Sequence, residues 1–373
     1  MSPPGHDQEG SSACRTCLRR SWLLAQLSAP LEYLCRDRAR LGELLGLDDE
    51  DLLRALAGRR RSELESRYAR FERADLRRIP GVQEVCRHHR SYPPALRDPG
   101  GPWMLHVAGG LGRLSDLAAA PTVAIIGSTR ATDYGVEMAR SIARGLAASG
   151  ATVAGGLSDG IAVAAHAGAL EAGAGSLAVM PGGLDVACAA RRRSLYRRVS
   201  RAGSAVTELP CGASARRFGE VAGERTLARL AGLTVVVEAH DSPGELAGAR
   251  LAQALGGSVA AVPGRVTSRA SSGTHALLMA GAHLVRGPQD ALELLCGPNP
   301  ASAQAPNAAR AELEPRLRTM LEQVGAGRDT PEKLTDEGED AGAVLLMLSE
   351  LDLMGLLARG DGGRYLPRYA LIE

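Results

Sequence analysis

Residues 123–135 read VAIIGSTRATDYG. Four apolar residues run into a glycine, a small hydroxyl, a threonine and an arginine, and a second glycine follows where a helix opens. This is the layout of a strand, a tight turn and a helix. Such a turn offers backbone N–H groups and the positive end of a helix dipole to an anion. A dinucleotide site needs the spaced glycines of GxGxxG after its first strand, and a triphosphate loop needs GxxxxGK[ST]. GSTRATDYG supplies neither, so the stretch decides for an α/β fold and against a nicotinamide or P-loop enzyme.

Outward from that turn the pattern repeats. TVAIIG, ATVAGG, SLAVMPG, SAVTEL, LTVVVEA, SVAAVPG and AHLV are short apolar runs bounded by turn residues. Helical segments are expected between them, at 135–149, 159–172, 191–201, 220–231, 244–255 and 274–280. Strands alternating with helices in this way predict βαβ units, a Rossmann-like and mostly parallel sheet, and helices on both faces, over residues 121–296. Before it, 1–12 is a polar tail expected to be disordered, and 13–80 carries apolar positions at helical spacing. Residues 81–120 are punctuated by proline and glycine and are expected to be an extended lead-in packed on the sheet's edge. After it, 297–311 is a Pro/Ala/Ser linker. Residues 312–373 then read as helix, helix pair and a hairpin turning at Asp361-Gly362-Gly363, the order of a winged helix.

The composition sets limits. The chain has 373 residues, room for two or three domains. Aromatics are 3%, so the core must be built from Ala, Val, Leu and Ile. A net charge of +2 excludes a binder that is basic throughout. Lys333 is the only lysine, so contacts to anions would be planar guanidinium contacts. No run of about 18 apolar residues is present, and the first residues lack a charged-then-apolar leader, so a cytoplasmic protein with no membrane contact is expected. Seven scattered cysteines suit reduced thiols. Cys14 and Cys17 form a CxxC with no second pair after it. Cys35, Cys86, His88 and His89 could complete a four-ligand set only if the fold gathers them, so neither a metal nor a cofactor is expected.

In an open α/β sheet, ligands bind outside the carboxyl ends of the strands. The residues expected there are Gly127, Ser128, Thr129 and Arg130; Gly155 and Gly156; Gly182; Glu208; Glu238; and Arg265. Three glycine-rich turns at three strand ends point to an anion-lined crevice, with Arg130 and Arg225 adding charge-assisted contacts. Arg191, Arg192 and Arg193, and Arg216 and Arg217, are arginine runs that either serve the same anion or form solvated helix faces. His166 lies on a helix beside the second turn, where a structural hydrogen bond is the expected use. Thr274 stands in a supporting position.

The ordered blocks resemble those of the DNA-processing protein A family (DprA, also called Smf). They are YPPALRDPGGPWMLHVAGGL, VAIIGSTRATDYG, GGLSDGIAVAAHAGAL, LAVMPGGLD, VTELPCG, VVVEA and AVPGRVTSRASSGTHALLMAGAHLV, closed by LSELDLMGLLARGDGGRYLPRY. The resemblance implies a protein with no known catalytic role. It implies binding of single-stranded DNA through phosphate contacts, loading of RecA recombinase in natural transformation, and a homodimer. The phosphate-binding set it implies is Gly127, Ser128, Arg130, Gly155, Gly156, Gly182, Arg225 and Arg265. This chain departs from the family at several polar positions. Thr129 stands in the slot of the family's arginine, which follows one place on as Arg130. Gly223-Glu224-Arg225 replaces Arg-Asn-Arg.

Two other readings stay open at this stage. PGG at 181–183 also follows a strand in LOG-type nucleotide-hydrolysing Rossmann enzymes, but their GxGTxxE continuation is replaced here by LDVACAARR. A degenerate family member that keeps only a protein-interaction role would retain the same glycine frame.

Overall fold

The computed structural model describes residues 12–34, 43–98, 100–185, 190–296, 314–335, 340–353, 356–359 and 363–367. Its centre is a nine-stranded sheet ordered β1-β2-β6-β5-β4-β3-β7-β8-β9. The strands are β1 (Val82–Cys86), β2 (Met104–Ala108), β3 (Thr122–Ile126), β4 (Thr152–Gly155) and β5 (Ser176–Val179). They continue with β6 (Ser204–Thr207), β7 (Leu233–Val236), β8 (Ser258–Ala261) and β9 (His283–Leu284). From β3 to β9 every neighbouring pair is parallel.

The apolar runs form central strands because both faces are covered. On β3, Val123 and Ile125 enter one core with the helices Asp133–Ala148 and Ile161–Glu171. Ala124 enters the opposite core with Leu227 and Leu230 of the helix Arg217–Leu230. Alternate residues therefore face alternate layers, as the pleat requires. The two helices on the first face lie close. A Cβ on Gly168 would come within 2.9 Å of the Arg140 carbonyl carbon.

The segment 81–120 does more than lead in. β1 and β2 pair antiparallel, and β2 pairs antiparallel with β6, so the segment extends the sheet by two strands. It also holds a helix, Leu111–Ala119. The helices of 13–80 likewise share one core with Cys86, Met104, Leu209, Phe218, Val221 and Ala222 of the sheet unit. Arg20, buried with Asp49, crosses that region in a 2.8 Å ion pair, and Tyr68 donates to the same carboxylate at 2.6 Å.

After the linker come helices Pro315–Gly325, Pro331–Thr335 and Ala341–Leu353, then an antiparallel pair, β10 (Leu357–Arg359) and β11 (Tyr365–Pro367). These elements have their own core around Leu317, Leu321, Val344 and Leu348. The buried pair Arg144–Asp329 ties it to the sheet unit. The expected polar tail, the linker, and residues 361 and 362 of the hairpin turn lie outside the described residues, apart from Ser12. Among the described residues, no helix is long and apolar enough to cross a membrane.

Candidate nucleic-acid interface at the carboxyl edge of the sheet

Strand order reverses beside β3, whose neighbours are β4 and β7. That is the switch point of an open α/β sheet, and a crevice opens outside it. The crevice holds about 540 Å³. Gly127 and Thr129 line it after β3, Gly156 and Ser158 after β4, and Pro181, Gly182 and Gly183 after β5. Glycine is required at two of these places by space alone. A Cβ on Gly127 would stand 2.5 Å from the Glu238 carbonyl oxygen, and one on Gly182 would stand 2.8 Å from the Ala215 nitrogen.

The VAIIGSTRATDYG turn is already supplied with an anion, and that anion belongs to the protein. Glu238, at the end of β7 and 2% exposed, sits at the N-terminus of the Asp133–Ala148 helix. Thr132, the N-cap, donates its N–H to one Glu238 carboxylate oxygen at 2.9 Å and its hydroxyl to the other at 2.6 Å. The same hydroxyl accepts from the Gly135 N–H at 3.3 Å. A carboxylate placed there takes up the N–H of the cap and faces the positive dipole end that an external phosphate would otherwise use.

Ser128 is also spent internally. It is 1% exposed; its hydroxyl accepts from the Arg130 N–H at 3.2 Å and its own N–H donates to the Glu238 carbonyl at 2.6 Å. The side chains of Thr129 and Arg130 do face solvent.

Arg225 corrects the sequence reading outright. It is 5% exposed and donates to Glu208 at 2.7 Å and to the Gly100 carbonyl at 2.8 Å. A guanidinium enclosed between a carboxylate and a carbonyl has no face left for a DNA phosphate. Glu208 is correspondingly its buried counter-ion rather than a residue of the crevice wall. His166 is fully buried, hydrogen-bonded to Ser176 at 3.0 Å and to the Gly156 carbonyl at 2.9 Å. Burial holds its pKa down at about 4, so it is a neutral strut under the second turn. Gly155 lies just above that imidazole, outside the crevice wall. Thr274 is fully buried and donates to the Ser271 carbonyl.

Arg216 and Arg217 remain exposed, one and two residues past the crevice wall at Ala215. Arg265 is exposed after β8 on the same edge. Arg193 is exposed on the helix Ala190–Ala202, while the side chains of Arg191 and Arg192 lie outside the described residues. The crevice wall itself carries Glu220, Glu224 and Glu245 and, among the described residues, no arginine. Glu245 accepts from the His240 ring at 3.0 Å. The edge is thus divided: carboxylates and small apolar residues inside, guanidinium groups at the rim.

One pattern was missed in the sequence. Gly156-Leu157-Ser158-Asp159-Gly160 has the GxSxG spacing of a nucleophile elbow between a strand and a helix. Ser158 lines the crevice, but it has no hydrogen bond to a histidine among the described residues, and both ring nitrogens of His166 are committed elsewhere. Among the described residues, no hydrogen-bonded base accompanies it.

Comparison with known proteins places the fold and the family. A family model described as DNA recombination-mediator protein A matches residues 83–296. A putative DNA processing protein DprA of Mycobacterium tuberculosis is 36% identical over 251 residues, which is 66% of this chain and 64% of that protein. The chain therefore spans just under two thirds of that relative's length. The X-ray structure of DNA processing protein A from Streptococcus pneumoniae superposes with a TM-score of 0.59 at 27% identity, covering 74% of this chain and 95% of that one. DNA processing protein A from Helicobacter pylori, solved for its single-stranded DNA binding mode, shares the fold. Its TM-score is 0.50 at 24% identity, over 57% of this chain and 95% of that one.

Proposed function

The chain belongs to the DNA recombination-mediator protein A family, and from that membership we propose that it binds single-stranded DNA along the carboxyl edge of its sheet. Phosphates lie on the exposed arginines of the rim: Arg130, Arg216, Arg217 and Arg265. One unstacked base at a time enters the glycine-lined crevice. The observation that carries this reading is the division of charge at that edge. Backbone phosphates suit guanidinium forks. Carboxylates suit the exocyclic amines of bases, as when Glu accepts from cytosine N4. The low aromatic content argues against the stacking platform that many single-strand binders use.

Under the same reading the bound strand is handed to a RecA recombinase during DNA uptake, and the chain works as a homodimer. The winged-helix-like segment 312–373 makes a protein contact. Support for these further steps is the family resemblance.

The test is a titration of labelled oligo-dT and oligo-dC at several salt concentrations. Each phosphate contact on a single strand adds about 0.7 to the slope of log K against log salt. Replacing Arg130, Arg216 and Arg217 by alanine together is expected to cut that slope by about 2. Replacing Arg54, exposed on the helix Asp49–Leu56 and ion-paired with Glu50, is expected to leave it unchanged. Absence of binding at low salt, or a triple variant with an unaltered slope, defeats the proposal.

A further inference from the structure

We infer that Cys14, Cys17, Cys86 and His88 form a structural binding site for a zinc-like divalent cation. The four ligand atoms, three Sγ and one Nδ1, all lie within 4.8 Å of one another. The His88 Nδ1 stands 3.5 Å from the Cys14 Sγ, 3.7 Å from the Cys17 Sγ and 3.8 Å from the Cys86 Sγ. A tetrahedron with Zn–S near 2.3 Å and Zn–N near 2.0–2.1 Å has edges of about 3.5–3.8 Å. The three observed nitrogen–sulfur spacings fall in that range. One imidazole nitrogen cannot hydrogen-bond three thiols at once, whereas a cation at the centre satisfies all four atoms.

The surrounding backbone is arranged for the same purpose. Cys14 is the N-cap of the helix Arg15–Gln26, yet its side chain makes no capping hydrogen bond. Cys17 follows in the first turn, where the helix dipole favours thiolates. Cys86 closes β1; its N–H is held by the Ser12 carbonyl at 3.0 Å, and it receives the Cys14 N–H on sulfur at 3.5 Å. The His89 N–H returns to the Cys86 carbonyl at 2.9 Å, a tight turn that brings His88 over the three sulfurs.

The result is a CxxC from the helical region facing a CxH from the edge of the sheet, 69 residues further on (from Cys17 to Cys86). With a cation all three bind as thiolates and release their protons. The site lies apart from the crevice, so its role is to clamp the start of the helical region onto β1. The expectation of no metal, drawn from the single CxxC, is the one this inference replaces.

The experiment uses the full chain, purified in reducing buffer without chelator. Zinc by atomic emission should be about one per chain. Cys17→Ser and Cys86→Ser should each lower it at least ten-fold, while Cys211→Ser should leave it in place. Cobalt(II) added to metal-stripped chain should give thiolate charge-transfer and tetrahedral ligand-field bands, which His88→Cys keeps but shifts. Zinc should also protect Cys14, Cys17 and Cys86 of the unaltered chain from alkylation until a chelator is added, so the result does not depend on variants that fold. A chain that holds no zinc after incubation with an equimolar amount, and whose three thiols alkylate freely, overturns the inference. So does a disulfide between any two of the three in freshly purified protein.

Discussion

Gly135→Ala should destabilise this protein, against the ordinary rule for helices. Gly135 lies in the first turn of the helix Asp133–Ala148. Its φ is not in the left-handed region, so alanine there is intrinsically better by about 1 kcal/mol. The added Cβ, however, would stand 2.5 Å from the Glu238 carboxyl carbon. Glu238 must then withdraw from Thr132, whose N–H and hydroxyl it accepts at 2.9 and 2.6 Å. Hydrogen bonds to a charged group contribute about 1.5–3 kcal/mol each, so losing two costs roughly 3–6 kcal/mol. Offset by the helical gain, the net loss is about 2–5 kcal/mol.

Urea unfolding of four chains decides it: the unaltered protein, Gly135→Ala, Glu238→Ala and the double variant. With the carboxylate gone the clash is gone, so in the Glu238→Ala background alanine at 135 should stabilise by about 1 kcal/mol. A neutral or stabilising Gly135→Ala in the unaltered background, or two costs that simply add, would refute the claim that Glu238 fills this helix terminus.

Arg225→Ala leaves the Glu208 carboxylate buried without its partner and should lose about 3–5 kcal/mol in urea unfolding. Oligonucleotide affinity, corrected for the folded fraction, should stay the same, and a lost salt-slope increment would return Arg225 to the interface. His106 and His166 are both fully buried, and burial holds each pKa at about 4. The folded state therefore favours the neutral rings, and the unfolded chain takes up protons first as pH falls below about 6.5. Their contribution is complete above that pH and is lost on descending towards 4, about 2 kcal/mol per histidine between pH 7.5 and pH 5. Unfolding curves at the two pH values should show it, and His166→Gln should remove about half of the difference.

The sheet was legible in the sequence because its signals are local. TVAII and LTVV are short, apolar and bounded by turn residues, and each βαβ unit closes within about 30 residues. The glycines of the crevice were legible for the same reason. The polar side chains were not. Glu238 meets Thr132 across 106 positions, and Arg225 meets the Gly100 carbonyl across 125. An arginine in a motif looks alike in sequence whether it faces solvent or a buried carboxylate. The antiparallel β1–β2 pair was hidden by the prolines and glycines of its flanks, since pairing of β2 with β6 depends on a strand about a hundred residues away. Cys14 and Cys86, 72 residues apart, belong to the same class.

The turn at residues 123–135 thus keeps the expected strand–turn–helix shape while its charge is satisfied from within. This constrains how a strand of DNA lies on the edge under the proposed reading. Glu220, Glu224 and Glu245 inside the crevice repel phosphate, and over about 4 Å at an effective dielectric near 20 a single such pair costs about 4 kcal/mol. One exposed arginine–phosphate contact cannot offset that, so the sugar–phosphate chain must follow the rim and turn its bases inwards. A base that donates from an exocyclic amine gains from the carboxylates, and thymine, which has no exocyclic amine, does not. The expected order of affinity is therefore oligo-dC above oligo-dT at equal length and salt, with the same salt slope for both because the rim contacts are shared. Equal affinities would place the bases outside the crevice. A steeper slope for one sequence would mean that the phosphates themselves change position with the base.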